Sequence, residues 1–516
     1  MGMACSWSVA LVGLEGRVVE VEADIGGGLP RTVLVGLPDA ALYQARDRCK
    51  AAVANSGGSW PASLLTINLS PATLPKAGSH YDLAIVSAVL AAGEVFERHE
   101  LAGTVLLGEL GLDGRVRPVR GILPAVLAAA QSGFRRVVVP LRQSGEAGLV
   151  EGIEVIGVAA LSQLIALFRH DPVPDVEPVE VPEGAGSRPA DRRLDLADVA
   201  GQVEAKWALE VAAAGRHHLL LHGPPGVGKT MLAERLPGLL PDLGVVDALE
   251  VSAIHSLAGV RLGDRLITRP PYADPHHSAS TAAVVGGGPR MAKPGAISRA
   301  HRGVLFLDEA PEFSTRVLEA LRTPLESGFV SIDRSEVSTR YPARFQLILA
   351  ANPCPCGKAG TPGADCHCPP LAVRRYAERI SDPIRDRIDL HQQVRPLRRS
   401  HLRAGLAAAE SSAAVAERIA EAHRRQARRL AGTGWRANGE VPGSYLRRQL
   451  PLPDGLEVVD EAAHRGLLTP RGVDKVLRVA WTLADLAGVD KPGPDQVAIA
   501  VAMRRGEPAP ARLEAV

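Results

Sequence analysis

The chain has 516 residues, 46% hydrophobic and 22% charged, with a formal net charge of +2, ordinary values for a globular protein of about three domains. That balance excludes a disordered chain and a polyanion binder working through bulk charge, so any nucleic-acid contact must be local. Six cysteines are too few for a disulfide scaffold. The start MGMACSWSVALVGLEG lacks a basic-then-apolar leader, and the run LAIVSAVLAA from Leu83 is too short to span a bilayer. A cytoplasmic protein without membrane contact is expected.

Residues 1–170 alternate strand-like segments (RVVEVEADI, RTVLVGLP, SLLTINLSP, TVLLGEL, RRVVVP) with helical ones (AALYQARDRCKAAVANSG, DLAIVSAVLAAGEV, ILPAVLAAAQSG) that stop near glycine. This predicts an α+β domain. The stretch 171–191, DPVPDVEPVEVPEGAGSRPAD, is rich in Pro, Glu and Val without aromatics and reads as an extended, mobile linker. Residues 192–393 then alternate strand, loop and helix in α/β fashion, and 394–516 read as helical. Within 395–448 twelve arginines face only Glu410, Glu417, Glu421 and Glu440, a basic zone that is either a polyanion contact or a solvated helix face.

The strongest signal is GPPGVGKT, Gly223, Pro224, Pro225, Gly226, Val227, Gly228, Lys229 and Thr230, between an apolar strand and a helix. Its glycines let backbone N–H groups surround phosphates, Lys229 neutralises the β/γ oxygens, and Thr230 offers a hydroxyl to Mg²⁺. ATP and Mg²⁺ are the implied cofactors. VLFLDE ends an apolar strand on Asp308, a Mg²⁺ partner, and Glu309, which would activate the attacking water. The next apolar strand, LILAAN, ends on Asn352, whose amide can reach the γ-phosphate. Immediately after it Cys354, Cys356, Cys366 and Cys368 offer four thiolates for a structural Zn²⁺, with His367 able to replace one neighbour. Four unmetallated thiols are the alternative.

Taken together, DVAGQ, GPPGVGKT, PHHSAS, VGGG, HRGVLFLDEAPEF, ANPCPCG and RISDPIRDRIDLH resemble the magnesium-chelatase-like AAA+ proteins, and among them the YifB/ComM family. GLPRTVLVGLPDAAL and INLSPATLPKAGSHYDLAIVSAVLAAGE extend the resemblance to the amino-terminal domain. The resemblance implies a Lon-protease-like (ribosomal S5 domain 2-like) fold for 1–170, an AAA+ P-loop core and a C-terminal helical lid. It makes Asn352 the sensor 1 residue, Arg387 a trans-acting arginine finger and Arg471 a cis sensor 2, with Arg385 and Arg478 as competitors. Where an active Lon domain carries serine and lysine this chain has His80 and Leu123, and Ser79 lies one residue off, so proteolysis is not expected. Family cysteines at 354–368 favour zinc. The family's activity implies an ATP-driven ring, a hexamer, that performs branch migration on DNA in recombination or natural transformation; the alternative is a chelatase-type ATPase that remodels a protein partner for metal insertion. The glycine-rich insert 281–300, with Arg290, Lys293 and Arg299 and no acids, and the segment 326–345 correspond to pore-facing elements suited to DNA backbone contact.

Overall fold

The computed structural model describes residues 2–36, 40–76, 78–180, 194–288, 292–333, 338–360, 365–396 and 409–508. The amino-terminal part is built on a seven-stranded mixed sheet in the order Arg31–Val35, Leu64–Ser70, Glu15–Gly26, Met3–Val12, Thr104–Leu106, Arg136–Pro140 and Glu154–Val158. Met3–Val12 and Glu15–Gly26 form an antiparallel hairpin with Val12 opposite Glu15. The turn needs Gly13, which sits at φ +66°. Val19, Val21 and Ala23 alternate inward with polar neighbours outward, the period of a half-buried strand. The apolar run from Leu83 is a core helix, Asp82–Ala92, buried along its whole length and packed on this sheet. The three helices expected in this domain are present as Ala40–Asn55, Asp82–Ala92 and Ile122–Gln131.

Residues 171–180 have no regular structure but are pinned to the domain, because Arg142 donates to the Val179 carbonyl at 2.9 Å and Gln163 to that of Pro174 at 2.9 Å. The remainder of the proposed linker lies outside the described residues. The second sheet has five strands, all parallel, ordered Tyr272–Ala273, Val304–Leu307, Gln346–Ala351, Leu219–His222 and Leu390–Gln393. Val304–Leu307 and Gln346–Ala351 are buried throughout, as expected of parallel strands covered on both faces. Behind this sheet the helices Ser412–Arg429, Pro470–Ala487 and Pro494–Arg505 share one apolar core with Val203–Gly215. Thr469 caps Pro470–Ala487 by accepting from the Gly472 N–H.

The amino-terminal domain is docked on the parallel-sheet domain through a continuous apolar seam. Ile122–Gln131 packs on the helix Val245–Ala258, joining Val9, Leu123 and Val126 to Ala248, Val251 and Leu262. The Gly121 N–H donates to the Ser256 carbonyl at 3.1 Å across it. At the other end of the seam the Gly13 turn rests on the hairpin Phe329–Asp333/Ser338–Pro342, where a Cβ on Gly13 would stand 2.8 Å from Thr339 Cγ2. Leu11, Leu14, Leu257 and Tyr341 surround the contact.

Candidate active site

Three neighbouring parallel strands end together, and each leads into one part of the site at the same edge. Gly223 follows Leu219–His222, Asp308 follows Val304–Leu307, and Asn352 follows Gln346–Ala351. Ligands in open α/β sheets bind at this carboxyl edge. Gly226 and Gly228 adopt φ +77° and +94° with nothing within 4 Å of a Cβ, so glycine is required there by conformation while space is left open for phosphate. Lys229 opens the helix Lys229–Ala233 and its Nζ donates to the carbonyls of Gly223 (2.7 Å) and Pro224 (2.9 Å) and to Asn352 Oδ1 (3.0 Å). Burial lowers the Lys229 ammonium, opposed by Asp308 and Glu309. The Thr230 hydroxyl donates to Asp308 Oδ2 at 2.7 Å, and Asp308 Oδ1 accepts from the Glu309 N–H. Lys229, Thr230, Asp308, Glu309 and Asn352 are therefore in one constellation, with the hydroxyl and carboxylate that would hold Mg²⁺ already in contact. A bound ATP–Mg²⁺ would supply the reactive phosphoryl group and its charge neutralisation.

Several functional contacts escaped the sequence reading. His277, within PHHSAS, places Nδ1 3.4 Å from Glu309 Oε2 and so orients the carboxylate, which sits on left-handed backbone at φ +50°. The Gln202 amide donates to the carbonyls of Val227 (3.0 Å) and Arg395 (2.9 Å), tying the phosphate loop to the chain beyond the last strand. Tyr376, buried on the helix Pro370–Glu378, shares a hydrogen bond with Asn352, and burial pushes its phenol up to about 12. The histidine pair within PHHSAS was the signal for the first, Gln202 closes the quoted DVAGQ motif, and nothing local marks Tyr376.

Cys354, Cys356 and Cys366 place their Sγ atoms 3.3, 3.7 and 3.6 Å apart, and all four thiols lie within 4.8 Å of one another. Tetrahedral zinc with Zn–S of about 2.3 Å needs sulfur atoms about 3.8 Å apart, so the donor set fits. Burial raises the Cys354 thiol, but the Ala359 N–H and the adjacent thiols outweigh it and hold it at about 6, while Cys366 is raised. The loop also touches the phosphate loop. Gly357, at φ +76°, lies against Pro225 so closely that a Cβ would stand 2.5 Å from its ring.

Arg387 and Arg471 lie elsewhere. Both approach Glu326, Arg387 in a close ion pair and Arg471 at 3.8 Å, in a cleft lined by His218, Gly303 and Gln346 at the amino-terminal ends of the strands. Arg471 therefore does not occupy the cis position expected beside the chain's own phosphate loop; it shares the opposite edge of the sheet with Arg387. Arg385 is engaged by the Ile380 carbonyl at 3.0 Å, and Arg478 lines the same cleft as the other two. Lys293 and Arg299 are exposed and have no ion-pair partner among the described residues, whereas Arg290 lies outside them. The basic zone is largely neutralised by acids from other parts of the chain. Arg418 pairs with Glu210, Arg429 with Asp485, Arg425 with Asp490, Arg436 with Asp247 and Arg447 with Asp474. Arg398, Arg399 and Arg403 are not among the described residues.

Comparison with known proteins agrees with this architecture. The family model described as magnesium chelatase, subunit ChlI matches residues 195–402, that for subunit ChlI of Mg-chelatase matches 21–143, and that for its C-terminal part matches 409–504. An uncharacterized protein of Mycobacterium tuberculosis is 54% identical over 510 residues, 98% of this chain and 99% of that protein. YifB of Escherichia coli is 40% identical over 488 residues, 94% of each chain. Competence protein ComM of Haemophilus influenzae is 37% identical over 489 residues, 95% of this chain and 94% of its own. No helix among the described residues is long and apolar enough to cross a membrane. A parallel sheet carrying this phosphate loop, and similarity that runs nearly end to end, place the chain in the magnesium-chelatase-like YifB/ComM family.

Proposed function

We propose that the protein is an ATP-hydrolysing ring motor that acts on DNA, driving branch migration in recombination or natural transformation. The observation that carries the motor reading is the separation of the two half-sites. Lys229, Asp308, Glu309 and Asn352 occupy one edge of the sheet, while Arg387 and Arg471 stand together at the other. An arginine finger acts on charge that develops only in the transition state and is worth several orders of magnitude in rate. A single copy cannot bring Arg387 to its own phosphate loop, so the complete site is formed between copies, and a closed hexamer satisfies every site. Within it, Asp308 and Thr230 hold Mg²⁺, Glu309 oriented by His277 takes the proton of the attacking water, and Asn352 positions that water.

The DNA reading is supported by Lys293 and Arg299, exposed and without an ion-pair partner among the described residues, at a glycine-rich hairpin suited to phosphate contact without base reading. The printed name of the competence relative points the same way. The amino-terminal domain acts as a non-proteolytic Lon-like scaffold: Ser79 is committed to Glu109, His80 to the Val9 carbonyl at 2.9 Å, and Leu123 to the seam. The four cysteines hold a structural zinc that fixes the loop between Asn352 and the helix of Tyr376. The chelatase alternative draws on the family models and on similarity over 187 residues, a third of this chain, to a magnesium-chelatase 38 kDa subunit. ATPase rates with no DNA, single strand, duplex and four-way junction, with Lys229→Ala as the dead control, decide between them. Stimulation by a junction is expected; hydrolysis indifferent to every DNA would overturn the DNA reading. Metal analysis of the purified protein should return one zinc per chain, lost in Cys354→Ser.

A further inference from the structure

Tyr376 is the only buried residue of the helix Pro370–Glu378, whose other residues are half-buried or exposed. A tyrosine that anchors a surface helix ordinarily does so by joining an apolar core. Tyr376 joins none of the apolar clusters of the parallel-sheet domain among the described residues, although Ile380, Ile384 and Ile388 shortly after it all do. It is 5% exposed, and the surroundings of its phenol are polar. The hydroxyl shares a hydrogen bond with the Asn352 side chain, and the carboxylates of Glu312 and Glu309 and the guanidinium of Arg379 face it. The ring is therefore buried against the nucleotide site.

The phenol is held there from both ends of its helix. Arg379, the next residue after the helix, donates to the Pro311 carbonyl at 2.9 Å and to Glu312 Oε2 at 3.1 Å, clamping the helix to the turn that follows Glu309. At its start the helix comes two residues after Cys368. The chain thus leaves Asn352, passes the four cysteines and returns to the same amide at Tyr376.

An asparagine amide has one accepting and one donating end, and rotation about its last side-chain bond is soft. Presenting a chosen end to a phosphate oxygen therefore needs a partner that fixes that rotation. Asn352 Oδ1 accepts from Lys229 Nζ at 3.0 Å, but the same ammonium also serves the carbonyls of Gly223 and Pro224. A rotatable point charge shared three ways, and attracted by any phosphate, does not set an orientation. The phenol does, because it is carried on a rigid ring and burial pushes it up to about 12, which keeps it a neutral hydroxyl.

We propose that Tyr376 is a positioning residue for recognition of the terminal phosphate: its hydroxyl fixes the rotation of the Asn352 amide, and the site thereby distinguishes a nucleoside triphosphate from a diphosphate. This role rests on the reading of Asn352 as the residue that meets the γ-phosphate, and Tyr376 acts only through it.

Tyr376→Phe removes one oxygen and keeps the ring, and circular dichroism checks that the fold is retained. The full chain is titrated with a slowly hydrolysed fluorescent ATP analogue and with the matching ADP analogue. Affinity for the triphosphate should fall about fivefold, the scale of one hydrogen bond, with kcat lowered and affinity for the diphosphate unchanged. Asn352→Ala should lower the same ratio of affinities, and adding Tyr376→Phe to it should change nothing further. Equal losses for both nucleotides would mark a merely structural tyrosine and overturn the proposal. An unchanged ratio in Tyr376→Phe, or additive losses in the double variant, would overturn it while leaving Asn352 as the sensor. An unchanged ratio in Asn352→Ala would overturn the sensor reading and this role together.

Discussion

Gly357 is the point at which the cysteine loop can be shown to control the phosphate loop. Alanine there meets two costs. The backbone is at φ +76°, which for an L-residue costs about 1–2 kcal/mol. In addition its Cβ would stand 2.5 Å from both Cγ and Cδ of Pro225, whereas carbon atoms rest at about 3.5–4.0 Å. Relief therefore demands a displacement of roughly 1 Å, shared between the cysteine loop and a proline ring that cannot rotate away. Pro225 lies inside the loop that cradles the phosphates, and misplacement of reacting groups by about 1 Å costs on the order of a hundredfold in rate. Gly360 supplies the control. It has φ +71° and nothing within 4 Å of a Cβ, so Gly360→Ala carries the backbone strain without the collision. Titration with a fluorescent ATP analogue and steady-state hydrolysis should show Gly357→Ala impaired about tenfold or more in affinity or rate, and Gly360→Ala close to wild type. Equal behaviour of the two variants would refute mechanical contact between the loops.

Three further outcomes are expected. His277→Ala removes the partner of Glu309 and should lower kcat about fivefold, the scale of an exposed ion pair of about 1 kcal/mol, with ATP affinity by direct titration unchanged. Lys293→Ala and Arg299→Ala should each reduce the slope of log affinity for DNA against log salt by about one, read by fluorescence anisotropy at several salt concentrations. Burial holds His217 at about 4, against an ordinary 6.5. The unfolded chain therefore binds the proton first, and the neutral-histidine stability present above pH 6.5 is lost as pH falls towards 4, by about 1.4 kcal/mol per pH unit for one group. His218 and His391 act in the same direction. Melting temperatures should fall between pH 7 and 5, and less steeply for His217→Gln, which keeps a donor for Thr482, 2.8 Å from the ring.

The nucleotide half-site was legible because each of its residues terminates an apolar run, and a buried parallel strand announces itself by composition. Elements whose buried positions are polar were not. The first strand, Met3–Val12, turns Ser6 and Ser8 inward, where their hydroxyls donate to the carbonyls of Ala84 and Leu106. The apolar alternation that would have marked it is thereby erased. Leu390–Gln393 is an edge strand that ends on His391, Gln392 and Gln393, and it reads as a loop. The basic zone stayed open between two readings for a different reason. Arg418 is neutralised by Glu210, 208 residues away, and charge counted in a window cannot see a partner brought in by folding. Arg387 and Arg471 were legible as motif residues, but the edge of the sheet they occupy is a property of topology.

The same topology assigns the hairpin 329–342 a role beyond reaching toward DNA. Its second strand is not free: Tyr341 is fully buried and donates its hydroxyl to the Ala292 carbonyl, and Thr339 lies under the Gly13 turn. Its first strand continues from the helix Arg322–Ser327, which carries Glu326, the partner of Arg387 and Arg471. The hairpin is thus a strut with the arginine cleft at one end and the amino-terminal domain at the other, fixed along the side by the glycine-rich insert. In the proposed ring a nucleotide presented to those arginines would compete with Glu326 for them, and a shift of Glu326 would act on paired strands packed against Leu11 and Leu14. Close-packed contacts transmit displacement rather than absorb it. In the ring proposed above, the fused amino-terminal domain would sense the nucleotide state of the adjoining site through this strut.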